Sequence, residues 1–467
     1  MNDIKTGSTA MILVPVCIAQ FMAPFMLTAV GVALPSLGRD FQASAVQLGL
    51  VEQLYALSLA MTMLTFGRLG DIVGRRKVFL CGLAVFTALT FSLGFTQSIE
   101  MTMIQRFFQG IGAAMFLAGS LALVADAYPP EHRGRKIGIV SACTYAGLSM
   151  GPVIGGYVTS HFSWRSVFLM SAPLGLSATA TCFWGMKETA QESSSERMDW
   201  QGSLAYGISV GLIMLGAAHI REVPLGPSII AAGLMGLAFF LHMESRLESP
   251  LLDVSLLWGN RFFTMSCLAA MGNYAATFGI TFLMSLYLQY AKGFSPRKAG
   301  LVLLVQPVMQ VIASPVAGRL SDRFEPAKLA TVGMLTSFTG LILAAVTINA
   351  DTPLWILSLE LILIGTGFGI FITPNSTAIM GSVERRRFGV ASGMIGAMRT
   401  LGMAVSLTTV ALVFSLFMGE AIITQTTLPV FLSSLRVGLA AFAVFCCLGV
   451  LLSISRGRHR LTDKNAL

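Results

Sequence analysis

Charge is scarce in this chain. Only 11% of its 467 residues are Asp, Glu, Lys or Arg, where soluble domains carry roughly a quarter. With 55% apolar residues, it cannot build an ordinary water-facing surface. The seven cysteines (Cys17, Cys81, Cys143, Cys182, Cys267, Cys446 and Cys447) form no C-x-x-C pair and lie inside apolar runs. They read as small buried apolar residues rather than a disulfide framework. A His/Cys/Asp metal cluster and a phosphate-binding loop are also missing. An enzyme is therefore not expected, and neither a catalytic nor a metal site is assigned.

What is present is hydrophobic length. Mean hydropathy is +0.75, and apolar runs near the span length of about 20 residues recur to the C-terminus, summing to about fourteen. Long runs rather than alternating ten-residue segments exclude an outer-membrane barrel. The expectation is an all-α, polytopic membrane protein. Lys5 followed by the run 10–34 reads as a first span, being too long for a signal-peptide core. The formal charge of +9 sets topology instead of marking nucleic-acid binding, because the bases sit in short loops and form no stripe with interleaved aromatics. Arg68, Arg75, Arg76, Lys77, Arg133, Arg135, Lys136 and Arg385 to Arg387 crowd one side of the spans. The positive-inside bias then places both termini in the cytoplasm of a cell (inner) membrane.

The sharpest local pattern is the basic, glycine-punctuated stretch 67–77 between two apolar runs. Gly67, Gly70 and Gly74 allow close backbone approach and a tight turn, and Asp71 is an acid among the bases. Here the chain resembles the major facilitator superfamily, whose loop after the second helix reads G-x-L-x-D-x-x-G-R-R/K, matched by Gly67, Leu69, Asp71, Gly74, Arg75 and Arg76. Further resemblances run along the chain. Arg106, Gln109, Gly110, Gly112, Ala113 and Ala114 match R-x-x-Q-G-x-G-A-A, and Gly147, Gly151, Pro152, Gly155 and Gly156 match the exporter signature G-x-x-x-G-P-x-x-G-G. Gly318, Asp322 and Arg323 repeat the start of the 67–77 motif, as two bundles related by a pseudo-two-fold axis would require.

The resemblance implies a fold and a mechanism. It implies two pseudo-symmetric six-helix bundles, 1–186 and 251–467, with 187–250 holding a polar linker and an inserted pair of helices (runs 204–218 and 229–242), as in the fourteen-helix drug:proton antiporter branch. The 67–77 motif, including Arg68, would gate alternating access, with Asp126 pairing to Arg75 as a latch. One departure is visible: Thr28 and the V-A-L-P at 32–35 match the first-span pattern, but Met26 stands where the branch has an acid.

Ionisable groups inside spans are costly by a few kcal/mol and mark function by default. Glu52, Arg106, Glu360 and Arg399 are accordingly the proton-coupling candidates, with Glu360 expected to lie deepest. Gln20, Met26, Tyr55, Asn273, Tyr274, Gln306 and Asn375 are the candidates for a substrate cavity, and Pro307 and Pro315 are expected to break the helix that carries them. The expected function is export of drugs or other small amphipathic compounds in exchange for protons. The alternative is an exporter or uniporter of one metabolite, lipid or siderophore. The proton gradient takes the place of any cofactor. Expected partners are the small-molecule substrate, protons, membrane lipids and, if the host has an outer membrane, a periplasmic adaptor.

Overall fold

The computed structural model describes residues 6–128, 130–186, 198–218, 225–247, 251, 254–321, 323–383, 388–419 and 421–456. Every regular element among them is helical: α1 (Thr6–Phe41), α2 (Ala45–Val73), α3 (Arg75–Leu93), α4 (Ile99–Ala127), α5 (Pro130–His161), α6 (Trp164–Gly185), α7 (Trp200–Ala218), α8 (Gly226–Glu244), α9 (Val254–Gly259), α10 (Arg261–Thr277), α11 (Ile280–Leu286), a π-helical segment Tyr287–Ala291, α12 (Pro296–Leu303), α13 (Val305–Ser321), α14 (Pro326–Thr347), α15 (Leu354–Gly381), α16 (Phe388–Phe417) and α17 (Leu428–Ile454). Backbone polar groups have no partner in hydrocarbon except along a helix, which is why these apolar runs take this form. Twelve helical stretches are long and apolar enough to cross a membrane. Of the fourteen expected runs, α5 and α7 fall outside that count.

Local chemistry sets the ends. Ser44 and Gln47 form a reciprocal capping box that starts α2, and Ser98, Asn260 and Ser295 accept first-turn N–H groups of α4, α10 and α12. Gly74, at φ +113°, is the single residue between α2 and α3, a conformation that side chains disfavour. The other two glycines of the stretch are less demanding. A Cβ at Gly67 would meet Ala118 at 3.8 Å, and one at Gly70 would meet Arg75 at 3.7 Å, both ordinary contacts. The proline break also differs in place. The chain interrupts at Leu304, because Pro307 cannot donate to the Leu303 carbonyl and its ring crowds it, whereas Pro315 lies inside α13.

Helices α1 to α6 pack mainly on one another, as do α10 to α17. The two groups meet where α2 runs beside α16 and at the ends opposite the 67–77 turn. There Gln289 Nε2 donates to Val32 O at 2.9 Å, Tyr290 Oη to Pro35 O at 3.4 Å, and Ala45 N to Ala421 O at 3.3 Å. Helix α7 packs on α8 and docks across α2 and α16. Gln53 Nε2 holds this junction, donating to Met214 O at 3.1 Å and Thr408 Oγ1 at 3.2 Å. Outward-facing side chains such as Trp184, Phe162 and Trp258 are 80%, 71% and 81% exposed, the surface a lipid solvent favours. Cys81 joins that outer face and Cys17, Cys143 and Cys447 are half-buried, so of the seven cysteines only Cys182, Cys267 and Cys446 are core residues, and all are free thiols.

A central cavity and its ionisable wall

Between the two groups of helices lies a cavity enclosing about 1220 Å³, part of it open to solvent. Helix α1 contributes Gln20 and Thr28, α2 contributes Glu52 and Tyr55, and α5 contributes Thr144, Tyr145 and Pro152. From the other side come Tyr274, Phe282, Gln306, Gln310, Phe368, Arg399 and Met403. The walls are mostly apolar and aromatic with a few convergent polar groups, the usual character of a small-molecule site.

Glu52 is the acid in this wall and is fixed from behind. Arg106, with no exposed surface, reaches from α4 and places Nη2 3.2 Å from Glu52 Oε2. The same guanidinium donates to Gln109 Oε1 at 2.8 Å and to Val51 O at 3.3 Å, and it lies 4.3 Å from the centre of the Tyr55 ring. Gln109 Nε2 in turn donates to Thr90 Oγ1 at 2.7 Å. Planar, permanently charged arginine suits this forked role. The other carboxylate oxygen, Glu52 Oε1, is buried without a hydrogen-bond partner among the described residues. Arg399, the base in the wall, is half-buried and makes no hydrogen bond or ion pair among the described residues.

The structure therefore gathers some of the sequence candidates and disperses others. Gln20, Glu52, Tyr55, Tyr274, Gln306 and Arg399 share the cavity, with Arg106 directly behind Glu52. Met26 does not line it: the side chain is fully buried in the core, and the neighbouring Leu27 and Thr28 face the cavity instead. Asn273 is likewise buried away from it. Asn375 is engaged elsewhere, donating to Ser266 O at 3.2 Å and accepting from Arg456 Nη2 at 2.7 Å. Burial lowers the guanidinium of Arg456, just past α17, to about 10.

Glu360 is the larger correction. It is buried, but it accepts from Thr347 Oγ1 at 2.5 Å in the α14–α15 contact and has no place in the cavity wall. Nor is it the deepest acid, since Glu52 and Glu360 each lie about two turns from the N-terminal end of their helices. Span membership was visible in the sequence; which face of the helix Glu360 occupies was not. Tyr145 was missed altogether, because a tyrosine among apolar residues carries no signal of which neighbour it meets.

The glycine motif of α5 is a packing surface. A Cβ at Gly147 would strike Phe21 O, one at Gly151 would strike Thr28 Oγ1, and one at Gly155 would come within 2.8 Å of Ala29. Gly156 faces Pro296 O on α12, while Gly300 of α12 faces Pro152 O. The motif thus seats α5 against α1 on one side and α12 on the other, with Pro152 reaching the cavity.

In the 67–77 turn, Arg75 Nη2 lies 2.7 Å from Asp71 Oδ1 and Nη1 lies 2.5 Å from Asp126 Oδ2. Arg76 Nη2 donates to Phe183 O at 3.0 Å, and Arg68 is half-buried nearby. The Asp71–Arg75–Asp126 cluster ties α2, α3 and α4 to one another and does not bridge the two groups of helices. In the repeated motif, Gly318 faces Thr373 of α15 and Arg323 is exposed beyond α13, while Asp322 lies outside the described residues.

A family model described as Major Facilitator Superfamily matches residues 16–407. The riboflavin transporter RibZ of Clostridioides difficile (strain 630) is 29% identical over 462 residues, covering 97% of this chain and 98% of its own. The methylenomycin A resistance protein of Bacillus subtilis (strain 168) is 30% identical over 406 residues, covering 86% and 87%. Among solved structures, a bacterial homolog of the human lysosomal transporter Spinster, inward-facing and unoccupied, aligns with TM-score 0.70 at 16% identity, covering 97% of each chain. The chain belongs to the major facilitator superfamily and is a multi-pass membrane transporter, not an enzyme.

Proposed function

We propose that this member of the superfamily exports small amphipathic aromatic compounds in exchange for protons. The observation that carries the reading is the Glu52 carboxylate in the cavity wall, buried, clamped on one oxygen by Arg106 and bare on the other. Such a group binds a proton or a substrate donor at the same oxygen, and exchange requires that mutual exclusion. The aromatic wall of Tyr55, Tyr145, Tyr274, Phe282 and Phe368 suits flat apolar bodies. Relatives named for antibiotic resistance support the export direction.

Helices α5 and α7, added to the twelve, complete the fourteen-span reading, in which α7 and α8 are the inserted pair, 1–186 and 251–467 are the two bundles and both termini are cytoplasmic. The 67–77 cluster then braces the cytoplasmic end of the first bundle. A second reading has one specific observation behind it: RibZ, a riboflavin transporter by name, aligns over nearly the whole of both chains, which favours a single flat heterocyclic metabolite.

The test is accumulation of rhodamine 110 by acid-interior proteoliposomes of the purified protein. Uptake that needs the gradient and is competed by unrelated planar drugs supports drug:proton antiport. Uptake competed by riboflavin alone supports the metabolite reading, and uptake indifferent to the gradient contradicts proton coupling.

A further inference from the structure

The cavity has two poles of opposite charge, and they lie at different depths. Glu52 and Arg399 are the acid and the base among the residues that line it. Helices α2 and α16 run side by side with their register fixed at two points: a Cβ on Gly49 would meet Ala411 at 3.6 Å, and Thr400 Oγ1 lies 3.0 Å from Met63 Sδ. Arg399 is therefore level with the residues just before Met63 on α2, ten or so beyond Glu52. At 1.5 Å per residue the two backbones are offset by about 15 Å along the axis, and the long side chains shorten the gap between their charged ends.

Each pole is chemically incomplete. Glu52 Oε1 is buried and accepts nothing from the described residues. It faces Gly31 of α1, where a Cβ would stand 3.7 Å away, so the missing side chain leaves the oxygen approachable from the cavity. Arg399 has no carboxylate or carbonyl on its guanidinium among the described residues, although a guanidinium inside a span is normally paired. Tyr274 and Phe368, 5.3 Å apart edge to face, share the wall with it. An acceptor without a donor lies at one level, a donor without an acceptor at another, and an aromatic wall joins them.

We propose that the cavity selects planar amphiphiles polarised end to end, carrying an N–H or ammonium group for Glu52 and a carboxylate for Arg399. This deepens the preceding reading and rests on the cavity being the substrate site. It also accounts for the sign of coupling: a proton on Glu52 cancels the charge and occupies the oxygen that the donor end needs, while Arg399 holds the other end in either state.

Three xanthene dyes separate the ends. Rhodamine 110 carries both N–H groups and a carboxylate, rhodamine 123 is its methyl ester, and tetramethylrhodamine keeps the carboxylate but has its nitrogens methylated. Binding is read by fluorescence polarisation on purified protein in nanodiscs. Wild type is expected to bind rhodamine 110 about tenfold more tightly than either relative, the scale of one hydrogen bond to a charged group. Arg399→Gln should erase the preference over rhodamine 123 and keep that over tetramethylrhodamine; Glu52→Gln should do the reverse, and Arg399→Lys should keep both. A misfolded variant cannot lose one preference and retain the other. Equal binding of the three dyes by wild type, or preferences unchanged in the variants, overturns the dipolar selection while leaving the cavity as the site. Binding of none of them overturns both readings.

Discussion

Arg106 and Glu52, on α4 and α2, form an ion pair at 3.2 Å with 0% and 2% of their side chains exposed. Removing one partner of a buried pair leaves an uncompensated charge, typically destabilising by about 3 to 5 kcal/mol, whereas removing both can be close to neutral. Glu52→Gln and Arg106→Gln should each lower the thermal unfolding midpoint of the purified protein. The double variant should recover most of the loss. Simple additivity of the two shifts would show that the pair is not a unit.

Glu360 supplies a contrast. Its carboxylate is held by Thr347 away from the cavity, so Glu360→Gln keeps gradient-driven accumulation of dye and shows at most a modest loss of stability, about 1 kcal/mol for a single hydrogen bond. Loss of concentrative uptake in this variant, with exchange retained, would move proton coupling out of the central cavity.

The α5 glycines separate packing from permissive positions. Gly156→Ala places a methyl group against Pro296 O, and Gly151→Ala places one against Thr28 Oγ1. Overpacking of this kind is destabilising by about 1 to 3 kcal/mol. Both variants should unfold at lower temperature, with Gly156→Ala also loosening the α5–α12 contact, read as faster labelling of a cysteine placed at Pro296. Gly393→Ala, where nothing lies within 4 Å of the added atom, should behave as wild type.

At the 67–77 turn, Asp71 and Asp126 are 43% and 47% exposed. Ion pairs at such positions contribute under about 1 kcal/mol. Asp71→Asn and Asp126→Asn should therefore barely change the unfolding midpoint while sharply lowering the transport rate. A transport loss that merely tracks unfolding would deny the cluster any role in the access cycle.

How far the sequence reached follows from what each signal encodes. Spans are legible because twenty apolar residues in a row have few other solutions, and motif residues are legible because glycine, acid and base spacing fixes a turn. Gly74 sits at the turn that the glycine spacing predicts, and Asp126 meets Arg75 as the family resemblance implies. The failures share one cause. Met26, Asn273, Asn375 and Glu360 all lie within apolar helices with little polar contrast around the circumference, so periodicity does not say which face meets the cavity. Arg106 needed its partner, and only the packing of α2 against α4 names Glu52. That the cluster stays within one group of helices, rather than latching two, is likewise a property of contacts and not of spacing.

The most direct test of the account is concentrative uptake of rhodamine 110 into acid-interior proteoliposomes by wild type and by Glu52→Gln, with dye exchange at equal pH measured on the same vesicles. The account predicts gradient-driven accumulation by wild type, and for Glu52→Gln exchange without accumulation. Accumulation by Glu52→Gln at the wild-type level would contradict it.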